Sequence, residues 1–144
     1  MKKLYIHFAC IGMLLMCSVA EAKAEVVLVV AKDSPIESLS RHEINDIFLG
    51  NATRLPNIGK VVPLDRSEDR IRADFYQDYT GRNLPQIKTH WAKYIFTGRG
   101  YPPKTVSSID ELKEVLQKNP NAIGYVTPDK VDGSMKILTM KSDN

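Results

Sequence analysis

Val26-Val27-Leu28-Val29-Val30-Ala31 is a run of six residues without a polar side chain, led in by Glu25 and closed by Lys32-Asp33-Ser34-Pro35. A strand that shows one face to water alternates apolar and polar residues. A strand without alternation is covered on both faces. The run therefore predicts a sheet packed between helices, and the Lys-Asp-Ser-Pro sequence behind it supplies the turn that ends the strand.

Upstream of this run the chain changes character. Lys2 and Lys3 are followed by apolar or small residues from Leu4 to Val19, interrupted only by His7 and Ser18. Ala20-Glu21-Ala22 and Ala22-Lys23-Ala24 both have the small-x-small spacing that signal peptidase cuts after. A secretory signal over residues 1–24 is expected, with the cut after Ala22 or after Ala24, and a periplasmic domain over 25–144. The apolar run is short for a bilayer span, and Met16 is too bulky to precede a lipidated Cys17. Cys10 and Cys17 both lie in this leader, so the expected domain has neither a disulfide nor a thiolate metal site. Without residues 1–24 the chain loses Lys2, Lys3, Lys23 and Glu21, leaving 17 Lys and Arg against 16 Asp and Glu, a net charge of +1. Such a balance gives no overall basic field for nucleic acid.

Downstream, strand and helix signals interleave. Ser40-Arg41-His42-Glu43 is a capping box, followed by Ile44, Ile47 and Phe48 at helical spacing and by Gly50 as a stop. Asn51 to Gly59 reads as a loop and Lys60 to Leu64 as a short strand. Asp65-Arg66-Ser67-Glu68 offers a second helix start, and Ile71, Phe75 and Tyr79 recur once per turn before Gly81. Leu84, Ile87, Trp91, Tyr94 and Ile95 form a third stripe, ended by Gly98-Arg99-Gly100 and Pro102-Pro103. Ser108 to Glu111 starts a fourth helix with Leu112, Val115 and Leu116 inward; Ala122 to Val126 and Met135 to Met140 are the last two strands. The expected fold is a single α/β domain: a mixed or mostly parallel sheet of about four strands with helices on both faces.

Three phrases in this order resemble the phosphate-type solute-binding proteins of bacterial ABC transporters. Ser38 to Gly50, Ser-Leu-Ser-Arg-His-Glu-Ile-Asn-Asp-Ile-Phe-Leu-Gly, is similar to a family segment, with the acid offset by one residue. Asn119-Pro120-Asn121-Ala122-Ile123-Gly124-Tyr125-Val126 is close to another, and Trp91 to Pro103 looks like a shorter phosphate-binding-like subfamily. The resemblance implies one lobe of a type-2 periplasmic binding protein, a transport role rather than an enzyme, and phosphate or a similar oxyanion as ligand. The full family closes two lobes on its ligand, and 120 residues supply about one. The family's Ser-Gly-Thr ligand loop is absent: Arg66-Ser67-Glu68-Asp69-Arg70-Ile71-Arg72 stands in its place, so phosphate specificity does not carry over.

Two readings of that segment compete. Arg66, Ser67, Glu68, Arg70 and Arg72 would surround a helix amino terminus, whose free amides carry about half a positive charge and suit an anion. Cations there oppose the helix dipole, and an oxyanion would offset them; the resemblance implies a carboxylate that accepts a proton from phosphate, and Glu68 is the position closest to that role. The default reading is that Asp65, Glu68, Asp69 and Asp74 offset the arginines on a solvated face, with Arg70 and Asp74 paired at i, i+4. Gly98-Arg99-Gly100 is more readily a helix cap than a ligand loop, and His42 and His90 read as surface residues without a second metal ligand. No nucleophile stands beside a base, no metal or cofactor motif occurs, and no catalytic residue is assigned. The rival to an oxyanion receptor is a lobe that docks on a periplasmic sensor, a transporter or an outer-membrane protein without a small ligand; a third arrangement rebuilds a cleft from two copies.

Overall fold

The computed structural model describes residues 22–143; of the leader expected over residues 1–24, all but Ala22, Lys23 and Ala24 lies outside the described residues. The chain runs β1 (Val27–Ala31), β2 (Ser38–Ser40), α1 (Arg41–Phe48), β3 (Arg54–Leu55), β4 (Gly59–Lys60), β5 (Val62–Arg66), α2 (Asp69–Thr80) and α3 (Leu84–Phe96). It continues through β6 (Lys104–Val106), α4 (Ile109–Lys118), β7 (Ala122–Val126), a 3-10 turn (Pro128–Lys130), β8 (Met135–Ile137) and β9 (Thr139–Lys141).

The apolar run is buried from Leu28 to Ala31, and the helices cover it from both sides. Strand alternation sends Leu28 and Val30 toward one core and Val29 and Ala31 toward the other. Ile123 and Tyr125 of β7 join the first core, and Ala122 and Val126 the second. Helices α1, α2 and α3 close the first core with Phe48, Phe75, Tyr76 and Trp91; α4 closes the second with Leu112 and Leu116. The result is the expected α/β lobe, a sheet with helices on both faces.

The sheet has five strands in the order β6-β5-β7-β1-β8, one more than the sequence suggests, and it is mixed. β5 runs parallel to β6 and β7, whereas β1 runs antiparallel to β7 and β8. The carboxyl ends of β5, β6 and β7 therefore share one edge, which the amino end of β1 joins. β5 begins two residues later than expected and carries Asp65 and Arg66 inside the strand. The expected loop before it holds a small hairpin of β3 and β4, turned through Asn57 at φ 62°. The last apolar stretch is two strands, because buried Leu138 donates its amide to Leu28 O and turns the chain so that β9 pairs with β2.

Local signals set the helix ends. The Ser40 hydroxyl accepts the Glu43 amide at 3.1 Å and the Glu43 carboxylate accepts the Ser40 amide at 2.8 Å. Gly81 closes α2 in the left-handed region at φ 68°. Asn83 and Gln86 make a second capping box at the start of α3. The last turn of α3 runs past the core, so Ile95, expected inward, is half exposed. His90 is half-buried rather than superficial: Nε2 donates to Leu49 O at 2.8 Å, and Nδ1 accepts from Arg82 at 3.3 Å.

Gly124 of β7 packs directly against Leu112 of α4. A side chain there would begin 2.5 Å from Leu112 Cδ1. Gly124→Val should overpack this contact and destabilise the protein by about 1–3 kcal/mol, read from the midpoint of denaturant unfolding; an unchanged midpoint would contradict the packing described.

Candidate functional site

β5 ends on two buried charged residues, Asp65 and Arg66, and alternation sends them to opposite faces of the sheet. Asp65 turns toward α2 and the aromatic core. Its Oδ1 accepts the Tyr125 hydroxyl at 2.5 Å and the Arg66 amide at 2.9 Å; its Oδ2 accepts the Tyr76 hydroxyl at 3.0 Å and Arg72 Nε at 2.8 Å. Four donors fill the acceptor sites of the carboxylate, and Arg72 matches its charge. Asp65 is thus neither a helix start nor a solvated acid, as the sequence suggested. The N-cap of α2 is Glu68, and it makes no side-chain capping bond.

Arg66 faces the opposite way, beside Leu64 and α4. Its side chain is 5 % exposed, and its Nε and Nη1 have no hydrogen-bond partner among the described residues. Nη2 lies 3.9 Å from the Glu68 carboxylate, too far for a hydrogen bond. A buried donor without an acceptor costs about 1–3 kcal/mol, and more when charged. Arg66 lines a cleft of about 330 Å³ with Glu68, Arg70, Ile109, Thr127 and Lys130. Those residues stand at or just beyond the carboxyl ends of β5, β6 and β7, where α2, α4 and the 3-10 turn begin. Open α/β sheets bind ligands at this edge, and helix amino termini add partial positive charge there. Three cations and one carboxylate border the cleft.

The structure brings Arg66, Glu68 and Arg70 together and separates the other two candidates. Ser67 is exposed and donates its amide to Val106 O at 3.1 Å, without lining the cleft. Arg72 lies across the strand, held by Asp65, in a second depression with Lys88 and Trp91. Arg70 does not pair with Asp74. It donates to Ala22 O at 2.6 Å, while the Asp74 carboxylate accepts the Ala24 amide at 3.0 Å. The segment 22–24 thus lies along the cleft rim. Thr127 and Lys130 were missed in the sequence; their only signal is a position just past the buried strand β7.

The two tyrosines on Asp65 are held far above their ordinary ionisation range, first by burial and then by the adjacent carboxylate, to which both donate. A tyrosine that stays neutral when folded but ionises near pH 10 when unfolded gives stability that is full below about pH 10 and falls above it, by about 1.4 kcal/mol per pH unit. Tyr76→Phe should therefore make the loss of stability between about pH 10 and 11 shallower by about one such increment. Parallel urea titrations of both proteins measure it, and identical slopes would contradict the arrangement around Asp65.

No protein-family model matches this sequence, and no curated protein matches it. Solved structures do match. One, described as a phosphate ABC transporter substrate-binding protein with bound phosphate from Clostridium perfringens, shares 21 % identity with a TM-score of 0.61; the alignment covers 81 % of this chain and 45 % of that one. An ABC-type phosphate transport receptor from Vibrio cholerae shares 20 % identity with a TM-score of 0.55, over 83 % of this chain and 48 % of that one. PstS from Borrelia burgdorferi shares 17 % identity with a TM-score of 0.56, over 84 % and 49 %. The chain thus spans about half the length of these proteins, and what it has in common with them is the fold of a binding-protein lobe.

Proposed function

We propose that the protein is an exported solute-binding lobe, not an enzyme, that takes up a small oxyanion, phosphate first, in the cleft at the carboxyl end of β5. The observation that carries this reading is Arg66: a guanidinium withdrawn from water, with two N–H groups that find no partner among the described residues, lining a cleft with Arg70 and Lys130. A buried guanidinium with two N–H groups left over suits an oxyanion, whose oxygens supply the missing acceptors. Arg70 and Lys130 supply further charge, and the Thr127 hydroxyl a further donor. The phosphate receptors named among the structural neighbours support the ligand class, and the apolar leader expected over residues 1–24 supports a periplasmic location.

Glu68 gives the cleft a means of choosing among anions. Its carboxylate accepts a hydrogen bond from a protonated phosphate oxygen and repels an anion that carries no proton, such as sulfate. A site formed by one lobe encloses its ligand on one side only, so affinity is expected near the millimolar range. The rival reading, a lobe docking on a protein without a small ligand, has no comparable observation: half of the residues lining the cleft are charged, and the exposed aromatic residues Phe96 and Tyr101 do not line it.

Isothermal titration tests this. Phosphate should give saturable heat with the wild-type protein and none with Arg66→Gln, and Glu68→Gln should bring sulfate binding up toward that of phosphate. Absence of heat from wild type at about millimolar phosphate, or binding that survives Arg66→Gln, would overturn the proposal.

A further inference from the structure

Between Asp78 and Asp110 the chain contains no Asp or Glu, yet it carries Arg82, Lys88, Lys93, Arg99 and Lys104. Among the described residues, only Lys104 of these five lies within 4.0 Å of a carboxylate, at 3.9 Å from Glu111. The stretch comprises α3 and its flanking loops. Helix α3 buries Ile87 and Trp91 and turns its other side to solvent. At about 100° per residue, Phe96 stands near the middle of that solvent side, with Lys93 about 60° to one flank and Lys88 about 80° to the other. Phe96 is 92 % exposed and Tyr101, just beyond the helix, is 83 % exposed. A shallow depression along α3 is lined by Arg82, His90, Lys93 and Arg99 and by no carboxylate.

A single exposed apolar residue needs no explanation, but two protruding aromatics within a zone of unpaired cations have a defined complement. We propose that the carboxyl-terminal tip of α3, with the loop to Tyr101, is a docking surface for an anionic lipid bilayer. Phe96 and Tyr101 enter the boundary between headgroups and acyl chains, while Lys88, Lys93 and Arg99 meet phosphate headgroups. Lipid fits this surface better than an acidic protein. Protein interfaces are depleted in lysine and close on a packed apolar centre. Here the aromatics project singly, and two of the three cations assigned to the headgroups are lysines, whose long stems lie along apolar matter while the ammonium stays wet. Among the described residues no helix is long and apolar enough to cross a membrane, so this contact is peripheral.

The position of the tip keeps it apart from the oxyanion cleft. Tyr101 borders a pocket shared with Lys60 to Pro63 at the amino end of β5, whereas Arg66 is the residue at the carboxyl end. A protein lying on its tip leaves the cleft open, and the docking reading stands whether or not phosphate binds.

Phe96→Trp provides the test, because the native Trp91 is buried and serves as a fixed background. The full-length Phe96→Trp protein is mixed with vesicles of phosphatidylglycerol and phosphatidylcholine, or of phosphatidylcholine alone. The readout belongs to residue 96, so an apolar leader inserting elsewhere does not produce it. Emission from residue 96 should shift to the blue and be quenched by brominated lipid only with the anionic vesicles, and the response should weaken as salt is raised. Adding Lys93→Glu and Arg99→Glu should weaken binding about tenfold or more, while Arg66→Gln should leave it unchanged. No blue shift, an equal shift with the neutral vesicles, or full affinity in the doubly charge-reversed protein would overturn the proposal. So would an equal shift with soluble polyglutamate, which would assign the tip to an acidic protein instead.

Discussion

A carboxylate buried at the end of a strand sets the order of this molecule. Asp65 lies among aromatic rings, where an unmatched charge would be costly, and it is matched from three directions: Tyr125 on the neighbouring strand, and Tyr76 and Arg72 on the following helix. These bonds tie β5, β7 and α2 into one unit. They also fix the backbone between Asp65 and Arg66, whose amide is shared between the carboxylate and the Tyr125 hydroxyl. With Asp65 turned into the aromatic core, strand geometry leaves Arg66 only the other face.

The consequence is a division of labour between two arginines six residues apart. Arg72 neutralises Asp65 and belongs to the scaffold. Arg66 is the more deeply buried of the two, yet among the described residues it has no carboxylate at hydrogen-bond distance. Phe75 stacks on Tyr125 at 3.9 Å between ring centroids, holding the hydroxyl end of Tyr125 at the strand terminus. The mixed sheet then collects three parallel carboxyl ends on one edge and places Arg70, Thr127 and Lys130 around Arg66. Positive charge gathers there by topology, in a domain whose overall charge is close to balanced.

Much of the architecture was legible because it is written locally. The unbroken apolar run of β1 gave a sheet covered on both faces, and Ser40 with Glu43 gave the start of α1. Asn83 with Gln86 is an equally local signal for the start of α3, independent of its apolar stripe. The two-strand pairing of β2 with β9 was not legible: each is three residues long, and their partners lie about a hundred residues apart. The environment of Asp65 was hidden for the same reason, because its contacts sit 7, 11 and 60 residues away. Seen in one dimension, Asp65, Glu68, Asp69 and Asp74 looked like one set of surface acids. The opposite fates of Arg66 and Arg72 could have been anticipated by extending the strand two residues and counting alternation from Leu64.

On the proposed function Arg66 receives the anion, while Arg72 is spent on Asp65. Nitrogen-15 NMR of the arginine Nε–H groups during a phosphate titration addresses both at once. The account predicts a saturable shift of the Arg66 Nε–H resonance, with Arg72 Nε–H unmoved in its bond to Asp65. A resonance from Arg66 that ignores phosphate, or a larger response from Arg72, would contradict it.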